Sequence, residues 1–153
     1  MRRHPRAGAR GFTITELVVV MVVIGIMAAV ALPRWRGTTG FEERGFRDEV
    51  ASALRYAQKA AVAARRRVCV SFTGTTLTAT MDSAFQANDC TITLQGPGGG
   101  PLSVSAQGTA AFSPVPGALI FDPLGRPGGR AEIRFADLGG LPVIVEAETG
   151  HVH

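Results

Sequence analysis

The sequence predicts an α+β protein in which a long N-terminal α-helix, transmembrane in its first half and amphipathic in its second, packs on a small antiparallel β-sheet head. Three observations carry this. From Leu17 to Leu32 no side chain is polar. From Phe46 to Ala64 the apolar residues recur every three or four positions, and beyond residue 67 the period falls to two. These are the repeats of a helix face and of a half-buried strand.

The 153 residues leave room for one ordinary domain and an appendage. The formal net charge is +4, but Arg2, Arg3, Arg6 and Arg10 precede residue 12 with no acid among them. Setting those four aside leaves 12 of the 16 basic residues against 12 acidic ones, so the charge balance points to no polyanionic partner.

Residues 1–11 read as a short basic leader and residues 12–36 as a helix that crosses a membrane. The run from Leu17 to Leu32 rises about 24 Å, and about 31 Å when Phe12 to Glu16 are added, against roughly 30 Å for a bilayer's hydrocarbon core. The leader arginines outnumber Arg34 and Arg36 beyond the run, which keeps the leader cytoplasmic and sends the head across. Between leader and run stands Gly11-Phe12-Thr13-Ile14-Thr15-Glu16. A carboxylate at the edge of a span is costly unless paired or near the interface, so Glu16 calls for a partner. Two other fates stay open. Ala29-Val30-Ala31 is an A-x-A-like site at which a signal peptidase would release a soluble protein, and an uncleaved helix would remain a permanent anchor.

This N-terminus resembles the class III signal of type IV prepilins, on the basic leader ending in Gly11, on Phe12, on Glu16 as the fifth residue after Gly11, and on Pro33 where pilin helices commonly carry a proline. The resemblance implies that a prepilin peptidase cuts between Gly11 and Phe12 and methylates the Phe12 amine. It further implies that Glu16 neutralises that amine on a neighbouring subunit, and that Pro33 kinks or opens the helix. The implied partners are other pilin or pseudopilin subunits, the peptidase, an inner-membrane assembly platform and membrane lipid. The implied location is the bacterial inner membrane, single-pass, with the head in the periplasm until assembly into a fibre; no cofactor is implied.

Residues 37–67 read as the amphipathic helix, loosened at Gly37 to Gly40 and restarting at Phe41. Phe46, Val50, Ala53, Leu54, Ala57, Ala61 and Ala64 share one face, and Arg47, Asp48, Glu49, Arg55, Gln58 and Lys59 the other. Arg65-Arg66-Arg67 falls where cations complement the carbonyl end of the helix dipole. Residues 68–153 read as the β-rich head. Residues 67–72 and 76–81 flank Thr73-Gly74-Thr75 as a hairpin. Further strands are expected at 90–95, 102–105, 118–121, 131–135 and 142–147, separated by the turn-rich loops 96–101 and 122–129.

A long helix followed by an all-β head resembles the H-type pseudopilin and FimT family. More narrowly, Ala31-Leu32-Pro33-Arg34, Leu54 to Ala63 and Glu148-Thr149-Gly150 resemble minor pilins of mannose-sensitive haemagglutinin-type pili. The resemblance implies a minor pilin or pseudopilin, a structural subunit of a type IV pilus or type II secretion pseudopilus. The alternative is a DNA-binding minor pilin of FimT type acting in DNA uptake. That branch is associated with a C-terminal Gly-Arg-x-Arg, whereas this chain has Gly150-His151-Val152-His153, and imidazoles are largely neutral at pH 7. Arg126, Arg130 and Arg134 could make a weak substitute DNA contact, although Asp122, Glu132 and Asp137 lie among them.

No H-E-x-x-H, G-x-S-x-G or local Cys/His signature occurs, so no catalytic residue is expected. Loop 96–101 has neither the Lys-Ser/Thr pair nor the following helix of a phosphate cradle. His151 and His153 lie on one side of an extended terminus with no third ligand in view, so no metal is expected. Cys69 and Cys90 would form a disulfide closing a loop of about twenty residues if the head is exported, and would otherwise be buried thiols.

Overall fold

The computed structural model describes residues 13–31, 39–136, 138 and 141–153. They fall into two units, one within residues 1–37 and one within 38–153, each described by itself.

The first unit is α1 (Ile14–Ala31), apolar on every side, with its described side chains exposed. Thr13 caps it. Glu16 N donates to Thr13 Oγ1 at 3.3 Å and Leu17 N to Thr13 O at 3.2 Å, leaving Glu16 in the first turn, where a carboxylate suits the helix dipole. Its 18 residues rise about 27 Å, and among the described residues no helix is long and apolar enough to cross a membrane. The expected continuation from Leu32 through Pro33 to Arg36 lies outside the described residues, as do Gly11 and Phe12.

The second unit begins with α2 (Thr39–Ala64). The expected loosening at Gly40 is absent, since Gly40 is already helical, and the helix stops three residues short of the expected Arg67. The stop is a Schellman turn. Arg65 takes φ 52°, Arg65 N donates to Val62 O at 3.3 Å and Arg66 N to Ala61 O at 3.2 Å, which satisfies the last carbonyls. The stripe Phe46, Val50, Ala53, Leu54, Ala57 and Ala61 is buried. Ala64, expected on the same stripe, is exposed at the helix end.

Seven strands follow among the described residues: β1 (Val68–Phe72), β2 (Thr76–Met81), β3 (Ile92–Thr93), β4 (Ser103–Ser105), β5 (Leu119–Phe121), β6 (Ala131–Ile133) and β7 (Val143–Val145). Each lies inside an expected strand, and most are shorter. The first five make one antiparallel sheet in the order β3-β2-β1-β5, with β4 also pairing β2. β6 and β7 form a separate antiparallel pair where a single sheet was expected. The chain leaves the main sheet at Asp122, whose Oδ1 accepts from Leu124 N and Arg126 N at 2.8 Å each and so turns β5 away from β6.

Register fixes which faces are buried. Val68 and Val70 pair with Met81 and Ala79 on one side and with Phe121 and Leu119 on the other. These positions, except the half-buried Met81, are buried with the α2 stripe, while Cys69 and Ile120 point to the outer face. At the N-terminal end of α2 the core is aromatic. Phe46 lies 4.9 Å from Phe112 and 5.7 Å, edge-on, from Phe135, and Phe72 meets Phe112 edge-on at 5.4 Å.

Candidate functional site

Two regions concentrate unusual chemistry. The first is α1. Ile14 is 83% exposed and Met27 69%; a helix apolar all round and uncovered needs an apolar environment from outside the chain. The cap at its start was not anticipated from sequence, although Thr13-x-x-Glu16 has the spacing of a capping box, which was the available signal. Half of that box is made, by Glu16 N on Thr13 Oγ1.

The second region is the loop after β2. Asp82 is fully buried, and its two oxygens accept four donors: Arg67 Nε at 3.1 Å and Asn88 N at 3.1 Å on Oδ2, Asp89 N at 3.0 Å and Cys90 N at 2.9 Å on Oδ1. Burial raises the Asp82 pKa, but the Arg67 guanidinium and the amides of Cys90 and Asn88 outweigh it and hold the carboxyl below its ordinary value of 3.8. Asp89 is held low by the Ser83 hydroxyl and amide. Cys90 is joined by a disulfide to Cys69, with Cα atoms 6.1 Å apart. Gln86, Asn88 and Cys90 all take positive φ, a conformation that L residues keep only where the surroundings fix it. The strapped loop displays Phe85, which is 61% exposed.

The polar face of α2 ties down four other segments, the first being the chain before β7 through Arg47, whose Nε donates to Leu141 O at 3.0 Å. Arg55 Nε donates to Val152 O at 3.1 Å, and the Tyr56 hydroxyl to Gln95 O at 2.8 Å. Gln58 Nε2 donates to Thr149 O at 2.8 Å and to Gly125 O at 3.3 Å. The Leu54 to Ala63 segment therefore holds the tail, the turn after β5 and the chain leaving β3.

The arginines expected as a DNA contact are separated by their own acids. Arg126 pairs with Asp122 at 3.1 Å, Arg134 with Glu132 at 2.9 Å, and Arg130 faces Glu146 at 3.8 Å. Desolvation raises the Asp122 pKa, and the amides of Arg126 and Leu124 with the Arg126 guanidinium bring it below its ordinary value. Each cation thus carries a local countercharge, which weakens a phosphate-binding patch. Arg67 of the terminal arginine triplet serves Asp82, so only Arg65 and Arg66 of that triplet stand beyond the helix end without a carboxylate among the described residues. His151 and His153 stack with centroids 5.5 Å apart, and His153 Nε2 lies 3.1 Å from Glu146 Oε1. Among the described residues no group of three or more His, Cys, Asp or Glu could hold a metal ion.

An exposed apolar helix with an acid in its first turn, followed in sequence by an α+β head, is the build of a pilin-type subunit. Residues 6–32 match the prokaryotic N-terminal methylation motif, and residues 47–148 match the type II transport protein GspH family. The chain therefore belongs to the GspH family, within the type IV pilin and pseudopilin superfamily of structural subunits. The type IV narrow pilus major component PilA5 of Thermus thermophilus is 43% identical over 49 residues, 32% of this chain; the match spans 42% of that relative's length. The chain shares its fold with the type IV minor pilin FimU of Pseudomonas aeruginosa (strain PAO1) over most of its length. One crystal form gives a TM-score of 0.54 at 18% identity, over 76% of this chain and 90% of FimU. A second gives 0.50 at 17% identity, over 72% and 90%.

Proposed function

We propose that the chain is a minor pilin or pseudopilin, a structural subunit of a type IV pilus or type II secretion pseudopilus, made as a prepilin and assembled through its N-terminal helix. The observation that carries this is α1, whose uncovered apolar surface would be buried first in the bacterial inner membrane, as a single-pass anchor, and then among the helices of neighbouring subunits. The methylation-motif match over residues 6–32 supports cleavage by prepilin peptidase between Gly11 and Phe12 with methylation of the Phe12 amine. In this reading Pro33 opens the helix beyond α1, an inner-membrane platform adds the subunit to the fibre, and the head stays in the periplasm until then. The test is mass spectrometry of the N-terminus of protein purified from its host's membranes. N-methylated Phe12 is the expected result; Leu32 at the N-terminus would overturn the reading.

Glu16 would pair with the Phe12 amine of the next subunit in a low-dielectric fibre core, where removing one partner strands the other charge. Glu16→Ala and Glu16→Gln are both expected to lower fibre content about tenfold or more. Helix content should be unchanged, because the capping oxygen belongs to Thr13. Quantitative blotting of sheared fibres checks this, and wild-type fibre content in Glu16→Gln would remove the role.

In an oxidising periplasm Cys69 and Cys90 would stay bonded. Their sequence separation of 21 residues corresponds to a stabilisation of about 3 kcal/mol. Urea unfolding of the detergent-solubilised chain with and without reductant should show that loss. Mass analysis after thiol blocking should find no free thiol, and two blocked thiols would refute the bond.

A further inference from the structure

We propose that the head carries a head-to-tail contact for a second copy of this chain, in which the Arg65–Arg66 corner of one copy seats in an acidic groove beside α2 of the next. This inference rests on the reading of the chain as a fibre subunit.

The groove, of about 790 Å³, runs between α2 and the loop after β3. Its floor is apolar, from Ala53, Pro97 and Leu102, and its α2 wall carries Asp48 and Glu49. Asp48 is 72% exposed and partly countered by Arg47 at 2.9 Å. Glu49 is exposed and has no cation within ion-pair distance among the described residues. The Tyr56 hydroxyl is committed to Gln95 O, so its ring adds apolar wall.

At the other end of α2 the signs reverse. Arg65 and Arg66 have no carboxylate partner among the described residues, as is also true of Arg44, Arg55 and Lys59 on the helix itself, whereas Arg67, Arg126, Arg130 and Arg134 each face one. Around this corner Val62 is 48% exposed and Leu124 67%, supplying apolar surface to match the groove floor. Glu49 and Arg65 are separated by about 24 Å of helix rise, so groove and corner of one copy cannot meet each other. They can meet across two copies displaced by that distance along the α2 axis. Such a contact is heterologous, using different surfaces on the two copies. The Schellman turn sets the backbone at the exposed Arg65, and opposite charges at the two surfaces fix the register.

The test places a photo-crosslinking amino acid at Ser52, which is exposed, lines the groove and bonds only within its own helix, to Asp48 O. The variant is the full-length chain expressed in its host, with Phe12 methylation and fibre content read in parallel. The expected product is a two-copy adduct mapping to residues 61–67 of the second copy. Glu49→Arg and Arg65→Glu should each lower its yield about tenfold, because reversal sets like charges against each other, and their combination in one chain should restore it. Arg65→Gly separates charge from folding, since glycine relieves the positive φ; it should lose the adduct without losing thermal stability. Normal methylation and fibre content with no adduct, or with an adduct to a different protein, would overturn the second-copy contact and leave the function standing. Absent methylation would overturn both.

Discussion

Asp82→Asn is expected to lower the stability of the head by about 3–5 kcal/mol, as for other buried charge pairs that lose one partner. An amide offers one acceptor oxygen where the carboxylate offers two. Its NH2 would face the donors now on Oδ2, Arg67 Nε and Asn88 N. The half-buried Arg67 guanidinium would lose its countercharge, and Asn88, held at positive φ, would lose the bond to its amide. The exposed Asp48→Asn should change stability by less than about 1 kcal/mol, because a surface ion pair contributes little. The same group sets an acid limit. Its folded pKa lies below the ordinary 3.8, so its contribution is complete above that value and is lost as pH falls through the folded pKa. Wild type should therefore weaken as pH drops below about 4, and Asp82→Asn should show a flatter acid limb. Urea unfolding at neutral and acid pH checks both, and equal acid slopes would remove Asp82 from the account.

Why the sequence reveals α2 and the strands but not Asp82 follows from the range of the forces involved. The Val68-Cys69-Val70-Ser71-Phe72 alternation and the Phe46 to Ala61 stripe express burial, which is written in local periodicity. Asp82 reads locally as a polar residue ending a strand before a serine, the grammar of a solvated turn. Its meaning comes from Arg67 and from residues 88–90, which only the folded loop delivers. Gln58 is concealed in the same way. It sits on the polar face of α2, yet it bonds carbonyls 67 and 91 residues away. Phe112 lies in a stretch with neither period and is buried through its contacts with Phe46, Phe72 and Phe135. The helix end is hidden in the sequence because the left-handed cap, ordinarily glycine, is Arg65. For the three dispersed arginines, the acids interspersed among them were a usable signal, and the structure pairs Arg126 with Asp122 and Arg134 with Glu132.

Gly150→Ala is expected to destabilise the head by about 3–5 kcal/mol, a large cost for one methyl group. Gly150 has φ 65°, and an L residue there costs about 1–2 kcal/mol. A Cβ would overlap Gly125 O and lie 2.7 Å from Gln58 Nε2. Moving a backbone carbonyl out of a packed site typically costs a further 1–3 kcal/mol. Gly125 cannot easily retreat, because it is itself at φ 77° and packed against α2, where a Cβ of its own would lie 2.8 Å from Val62 Cγ2. Shifting Gln58 instead would break its bonds to Thr149 O and Gly125 O, at about 1 kcal/mol each. Gly74→Ala is the control, since that glycine has no positive φ and nothing within 4 Å of a new Cβ; it should be neutral or stabilising by less than about 1 kcal/mol. Thermal unfolding of the two variants side by side tests whether the Glu148-Thr149-Gly150 ending is required by the clasp between α2, the turn after β5 and the C-terminal turn. A Gly150→Ala variant as stable as Gly74→Ala would mean that the clasp can open without cost.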